Sequence, residues 1–375
     1  MIKEQFAIAL SERDKEAAIK EVSLKIKLIF PTRIDNLIIL FTPHYHPKNI
    51  LQSINLTLRP KEIIGIESPF LIFENRLIQK GIICCCINNK NMKTYTSFIE
   101  TGGLDKIESS IRASIKGPKK KDSFSFSFLS HQINPADYIN AMRLSLGSFF
   151  NLVGSGYANK YLSSNRQILG NNIHQGLTNL TVEGIEMSSV KLNGYLPIGK
   201  PFTITKAIPD KNVIIEINNS PAINIYKEYL GEKFDLFLKN HLFSFYPLGI
   251  KEYGISRLLN IITFLEDGSL TCLGKVTENT QGNIMIFDSS FIINDLEKAL
   301  APIKNKNSGL VLFMNSLARK NILKDLAIEE IELIKKILGD NFNIIGLFSD
   351  YLIFSDGQEG RINLESGTSL ITLWQ

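Results

Sequence analysis

The sequence has no long hydrophobic run. Its longest apolar stretches, such as residues 37–41 and 82–87, contain five or six residues, whereas a membrane-spanning helix needs about 20. Near the N-terminus, the apolar run 6–10 soon gives way to charged residues, so it is shorter than the roughly 7–15 apolar residues of a secretory signal. The sequence therefore predicts a chain that does not insert into a membrane and that works in the cytoplasm.

Cysteine is also scarce. Three of the four cysteines are consecutive, Cys84, Cys85 and Cys86, and they lie in an apolar run. Consecutive cysteines have poor geometry for a disulfide and lack the spacing of a zinc site. We therefore predict that they form neither, and that they alternate between the two covered faces of a buried strand.

Neither sign of charge dominates, because the chain has 42 lysine and arginine residues and 37 aspartate and glutamate residues. The densest basic cluster, residues 119–121, follows a Gly-Pro pair and has no aromatic residue among its lysines. Nucleic-acid-binding surfaces usually combine positive charge with aromatic stacking. The cluster is predicted to be a solvated loop, and no nucleic-acid partner is expected.

The sequence contains no recognisable catalytic motif. It lacks the G-x-S-x-G nucleophile elbow, and its glycine-rich segment 154–157 matches no phosphate-binding loop. Residues that are distant in the sequence can still form a catalytic site in the folded chain. An enzyme that uses a cleft between two halves of the chain therefore stays an alternative. A nucleophile hydrogen-bonded to a histidine would favour it.

Short β-type runs alternate with helical patterns along the whole chain, which indicates an α/β fold with mixed sheets covered by helices. The most informative feature is an internal repeat: residues 63–73 read IIGIESPFLIF and residues 344–354 read IIGLFSDYLIF, with seven identities in eleven positions. Matching strands and helices precede both copies. We predict two strand-helix-strand-turn-strand units at the chain ends, related by an approximate twofold axis.

The repeat also supplies the candidate ligand site. Each copy places polar residues just after a buried strand, and functional groups in α/β sheets gather beyond strand ends. The alternative is that each glycine permits a turn and each serine caps it. Arg319, which follows another strand, can hold a carboxylate or phosphate or can form a structural ion pair. The candidates are Glu67, Ser68, Ser349, Asp350 and Arg319.

Beyond the repeat, a series of short motifs runs through the chain in segments 153–158, 193–205, 213–218, 220–231, 247–249, 257, 267–270, 318–319 and 345–346. In these segments, and in their order, the chain resembles the FIST family, a two-part module of intracellular signal-transduction proteins. The resemblance is strongest at the opening of the C-terminal half and in the helix that follows. It implies two domains, 1–181 and 182–375, that bind a small ligand and signal through a partner protein.

Two departures from the family fall at corresponding places in the repeat. Where FIST proteins usually have Gly-Glu, this chain has Phe70-Leu71 and Tyr351-Leu352. The exchange adds two aromatic rings and removes two negative charges. We therefore expect Phe70 and Tyr351 to be at least partly buried and to belong to the candidate ligand site, where they narrow the family's cleft and favour a more apolar ligand, unless the site has been lost.

The resemblance also raises haem as a cofactor, because some FIST proteins are described as haem-binding sensors of nitric oxide. His44 and His46 follow a strand of the first repeat and are the candidate axial ligands. No C-x-x-C-H motif for covalent haem is present. Haem-based gas sensing therefore stays an alternative to a sensor that binds another small ligand.

Overall fold

The structure is a computed structural model that describes residues 5–31, 34–100, 104–114, 123–147, 150–158, 166–252, 255–355 and 362–375. The lysine cluster 119–121 lies outside the described residues. In the described part of the chain, no helix is long and apolar enough to cross a membrane. Strands and helices mix throughout, so the predicted α/β class with mixed sheets is confirmed.

The first unit begins with a strand and a helix and then continues as strand, helix, strand, hairpin and strand. Pro47 takes the first position of its second helix, where a missing N–H costs nothing, and His46 caps that helix. The elements are β1 Phe6–Ser11, α1 Lys15–Ile29, β2 Asn36–Phe41, α2 Pro47–Thr57, β3 Glu62–Glu67, β4 Leu71–Phe73, β5 Arg76–Ile78 and β6 Ile82–Ile87.

A second unit repeats this order. Its second helix again has proline at the first position and an asparagine cap, Asn134. The elements are β7 Lys93–Ile99, α3 Leu104–Ser114, β8 Ser123–Leu129, α4 Pro135–Leu146, β9 Asn151–Gly156, β10 Gln167–Leu169, β11 Asn172–His174 and β12 Leu177–Glu183.

The third unit is interrupted after its first strand, β13 Met187–Leu192, by an inserted segment. The insertion contains β14 Tyr195–Ile208, β15 Val213–Ile217, β16 Ser220–Pro221, α5 Ile223–Leu230, α6 Phe234–Lys239, β17 Leu248–Glu252, β18 Ile255–Phe264, β19 Leu270–Leu273 and β20 Thr280–Phe287. The unit resumes with α7 Ser290–Asn294, α8 Leu296–Lys304, β21 Gly309–Ser316, α9 Leu317–Leu323, α10 Leu326–Leu338, β22 Phe342–Ser349, β23 Tyr351–Ser355, β24 Ile362–Glu365 and β25 Ser369–Trp374.

Each unit builds a six-stranded sheet around one parallel pair but sends its hairpin to another unit's sheet. The orders are β1, β6, β2, β3, β10, β11 in the first sheet, β7, β12, β8, β9, β23, β24 in the second, and β13, β25, β21, β22, β4, β5 in the third. The first unit's hairpin thus joins the third sheet, the third unit's hairpin joins the second, and the second unit's hairpin joins the first. The exchange is cyclic.

The two end units predicted from the repeat therefore share their element order, and the structure adds a third unit between them. The approximate twofold between the end units stays a prediction, as does the division at residues 181 and 182. One detail differs from expectation: the longer helix of the last unit is two helices, α9 and α10, because Lys324 adopts a left-handed φ of 53° between them.

The inner faces of all three sheets share one hydrophobic core, and helices cover the outer faces. Residues such as Leu40, Phe126 and Leu312 belong to the shared core. Separate clusters lie under the helices of each unit. The inserted segment has its own core and a seven-stranded sheet, in which β14 also pairs with β15 and so closes the sheet.

The consecutive cysteines lie on β6 as predicted. Cys85 faces the shared core, whereas Cys84 and Cys86 face the helices α1 and α2. All three are buried and free, and no cluster of potential metal ligands is found among the described residues. The prediction that the three cysteines lie on a buried strand and alternate between its two covered faces is confirmed.

Burial raises the pKa of the Cys84 thiol to about 12 and also raises the pKa values of Cys85 and Cys86 well above the ordinary thiol value. Thiols react as thiolates, so these groups should be inert in the native protein. We expect Ellman's reagent at pH 8 to modify none of the three in the native state and all of them in guanidinium chloride. Rapid native modification of any of them, located by peptide mass spectrometry, would contradict this burial.

Candidate functional site

The carboxyl ends of strands β3, β9 and β22, one from each unit, meet in the structure. Each end has one residue that lies three positions after a glycine of its strand, and these residues are Ser68, Tyr157 and Ser349. The Tyr157 hydroxyl lies 2.8 Å from the carbonyl oxygen of Phe348 and 3.1 Å from that of Glu67. The tyrosine of the middle unit therefore contacts the turns of both other units.

The two serines of the repeat, Ser68 and Ser349, form hydrogen bonds within the protein. Ser68 Oγ lies 2.6 Å from the carbonyl oxygen of Phe70 and 2.9 Å from that of Phe348, whose N–H donates back to it. Ser349 Oγ donates to the carbonyl oxygen of Tyr351 at 3.0 Å. Both serines are fully buried. These hydroxyls hold their own turns and, through Ser68, join the first unit to the third.

Charged groups surround the tyrosine. Glu67 is buried and forms an ion pair with Arg166, whose side chain keeps 19% of its surface exposed. Arg166 also donates to the carbonyl oxygen of Pro43. Asp350 accepts a hydrogen bond from the N–H of Ala158 at 2.8 Å. We call Glu67, Ser68, Tyr157, Arg166, Ser349 and Asp350 the turn cluster.

Sequence reasoning missed two members of this cluster, Tyr157 and Arg166. Tyr157 had been noted only as part of a glycine-rich segment without a phosphate-binding motif. Strand pairing aligns Arg166 with Phe70 and Tyr351 of the other units. The signal available in the sequence was the glycine Gly154, but the residues around it differ too much from the other copies to reveal a third repeat.

Phe70 and Tyr351 are at least partly buried, as predicted. Tyr351 is 1% exposed, and Phe70 is half-buried with its ring 6.0 Å from that of Phe348 in an edge-to-face arrangement. A side chain at Gly156 would meet the Tyr351 ring, because a Cβ there would lie 2.3 Å from the phenol oxygen. The rings therefore fill space beside the turn cluster, and burial raises the pKa values of Tyr157 and Tyr351 so that both phenols are neutral.

The side-chain contacts of Arg319 are made with residues outside the turn cluster. Its guanidinium is fully buried and forms a two-pronged ion pair with Glu330 of α10. The same guanidinium lies over the ring of Phe287, 5.0 Å from its centre. Of the two roles that the sequence left open, the structure shows the ion pair.

His44 and His46 are both exposed, and each has a local partner. His46 Nδ1 accepts from the N–H of Lys48 at 3.3 Å as the cap of α2. His44 Nδ1 lies 3.2 Å from Thr42 Oγ1. Haem binding through either residue stays a hypothesis, which the visible absorption spectrum of the purified protein tests through its Soret band.

The contact between Thr42 and His44 places a hydroxyl beside a histidine. Thr42 is fully buried, and its Oγ1 accepts from the N–H of Gly81 at 3.2 Å and lies 3.5 Å from the Gly81 carbonyl oxygen. These bonds fasten the end of β2 to the turn before β6. A nucleophile must be reachable by substrate, so this hydroxyl is explained by its structural bonds.

Comparisons with known proteins give a family and little else. A model described as the FIST N domain matches residues 36–220, and one described as the FIST C domain matches residues 222–350. No curated protein matches the sequence.

Two solved structures illustrate the fold comparison. Cyanuric acid hydrolase from A. caulinodans is 8% identical, with 99% of each chain covered and a TM-score of 0.39. PurL of T. maritima complexed with FGAR is also 8% identical, with 100% of this chain and 73% of that chain covered and a TM-score of 0.20. Both TM-scores lie below 0.5, so neither likeness says anything about function.

Proposed function

Because the chain belongs to the FIST family, we propose that it is a non-catalytic sensory protein that binds a small ligand in the cytoplasm and signals through a partner protein. FIST domains are in general ligand-binding sensory domains of signal transduction. The observation that carries the proposal for this chain is the turn cluster, in which residues of all three units meet. A ligand bound there contacts all three units at once.

The exposed side of the turn cluster offers groups that can recognise a ligand. The Arg166 side chain is 19% exposed, and Asp350 is half-buried. A guanidinium and a carboxylate together suit a ligand that carries both hydrogen-bond acceptors and donors. Phe70, also half-buried, adds apolar surface. We therefore propose a ligand with a polar end and an apolar body.

The inner side of the cluster offers a route from ligand to partner. Tyr157 contacts the main chain of the first and third units, and Ser68 bonds to the main chain of the third. A shift of one turn therefore changes hydrogen bonds in the other two. Coupling of this kind needs a ligand that binds one arrangement better than another.

Native mass spectrometry of gently purified protein tests the proposal, because it detects a bound small molecule without a guess of its identity. We expect an adduct in the wild type that is lost in Asp350→Asn, since the change removes the charge and keeps the size. Asp340→Asn, on an exposed turn, is the matched control and should keep the adduct. An adduct unchanged in Asp350→Asn, or a protein that binds no member of a panel of small metabolites in thermal-shift assays, would contradict the proposal.

A further inference from the structure

Six buried side-chain atoms that have no hydrogen-bond partner among the described residues occur around the carboxyl end of β21. They are Asn315 Nδ2 and Oδ1, Arg319 Nη1, Thr368 Oγ1, Ser369 Oγ and Asn260 Nδ2. The residues that carry them are 5% exposed or less. Folded proteins satisfy nearly all buried polar atoms, with ordered water where protein groups are out of reach. Such a concentration therefore points to an occupant.

The strand register brings the central members together. Asn315 of β21 lies directly opposite Ser369 of β25, so their side chains leave the sheet on the same face. That face is the helix-covered one, because Val311 and Phe313 on β21 and Ile371 on β25 alternate in phase with them and belong to the core under α8 to α10. Thr368 precedes Ser369 in the chain.

Arg319 enters the same region from α9. Its N–H donates to Ser316 Oγ at 3.1 Å, directly after Asn315, and its guanidinium packs on Phe287, which contacts the core under the helices. Two of its nitrogens bond to Glu330. The third nitrogen is the unpartnered one, so the group retains a donor although its charge is balanced.

The inserted segment reaches this region from the other side. Asn260 Oδ1 of β18 accepts from the N–H of Ser366 at 3.0 Å, and Asn260 Nδ2 has no partner in the part of the chain that the structure describes. Phe287 also comes from the insertion, at the end of β20. The polar atoms therefore lie along the boundary between the third unit and the inserted segment. We call Asn315, Arg319, Thr368 and Ser369 the Asn315 cluster.

We propose that the Asn315 cluster binds a neutral hydrogen-bonding occupant, either ordered water or a small uncharged polar molecule. The cluster presents two amide atoms, two hydroxyls and one guanidinium donor, which together suit an occupant with both donors and acceptors. An anion does not suit it, because Glu330 already balances the charge of Arg319. The occupant satisfies polar atoms that would otherwise be costly to bury and joins the third unit to the insertion.

The sign of a stability change tests whether the cluster is occupied. Leucine has nearly the shape of asparagine and no polar atoms. In a dry cluster Asn315→Leu removes two unsatisfied atoms and raises Tm, whereas in an occupied cluster it breaks bonds to the occupant. We expect Tm to fall by at least about 2 °C, and a rise would overturn the proposal.

Two smaller substitutions, a test and its control, examine the same proposal if the Asn315→Leu variant folds poorly. Ser369→Ala removes one unpartnered hydroxyl and should lower Tm for the same reason. Thr372→Val on the same strand is the matched control, because its hydroxyl already accepts from Trp374 Nε1 at 3.1 Å, so its Tm should fall whether or not the cluster is occupied. An unchanged or higher Tm in Ser369→Ala beside a lower Tm in Thr372→Val would also overturn the proposal.

Native mass spectrometry and added anions identify the kind of occupant. An adduct lost in Asn315→Leu but kept in Asp350→Asn indicates a small molecule in this cluster, and no such adduct together with the expected fall in Tm indicates water. A rise in the Tm of the wild type with phosphate or acetate that disappears in Asn315→Leu would show an anion site and overturn the proposal. Because Asp350→Asn reports on the turn cluster alone, the two proposals fail separately.

Discussion

Replacing Arg319 by methionine is expected to lower the free energy of unfolding by about 3–5 kcal/mol, because it leaves the Glu330 carboxylate buried without its partner. Both side chains are fully buried, so the carboxylate of Glu330 would have no contact with bulk solvent. Urea denaturation followed by circular dichroism measures the change. This is the largest effect that we expect from a single substitution in the chain.

A double variant distinguishes a lost partner from lost packing. Arg319→Met combined with Glu330→Leu removes both charges and should recover most of the stability, since an apolar pair often replaces a buried ion pair at little cost. If the double variant is as unstable as Arg319→Met, the loss comes from packing on Phe287 and the electrostatic account is wrong.

Replacing the repeat glycine Gly346 by alanine is expected to cost about 3 kcal/mol, at the upper end of the range for overpacked cores. A Cβ at this position would lie 2.1 Å from the carbonyl oxygen of Phe313 on the neighbouring parallel strand. Neither strand can move aside easily, because both are central in the third sheet. The midpoint and slope of urea unfolding measure the loss.

Gly339→Ala is the control for this prediction. Gly339 ends α10 with φ at +83° and has open space around its missing side chain, so alanine there meets backbone strain of about 1 kcal/mol without a clash. Equal losses in the two variants would show that the space around Gly346 can adjust, and that close strand approach is not the reason for its glycine.

The same glycine shows how far sequence reasoning reached. The repeat drew attention to Gly65 and Gly346, and the structure shows that neither has a positive φ and that both are closely approached by a neighbouring strand. It also predicted that Glu67, Ser68, Ser349 and Asp350 lie at strand ends, and in the structure Glu67 and Ser349 are the last residues of β3 and β22 and Ser68 and Asp350 directly follow them. Polar residues at the ends of parallel strands gather in space by geometry alone, so this part of the site was predictable.

Other parts were not predictable, for identifiable physical reasons. The middle unit shares Gly154 with its neighbours but has Tyr157 where they have serine, so its sequence hides the repeat. Arg319 finds its partner, Glu330, on the next helix, which depends on the break between α9 and α10. The Asn315 cluster arises from the register of β21 and β25, and register is a property of the folded sheet.

The cyclic exchange of hairpins has a consequence for how the chain reaches its fold. Each sheet needs strands from two units, and hydrogen bonds such as that from Ser68 to Phe348 join residues 280 positions apart. Contacts so distant in the sequence give a high contact order, which slows folding because long loops must close before their contacts stabilise anything. Because the hairpins are exchanged among the three sheets, no sheet can be completed until the hairpin of another unit has joined it. Partly folded intermediates therefore expose unpaired strand edges, the usual starting point for aggregation.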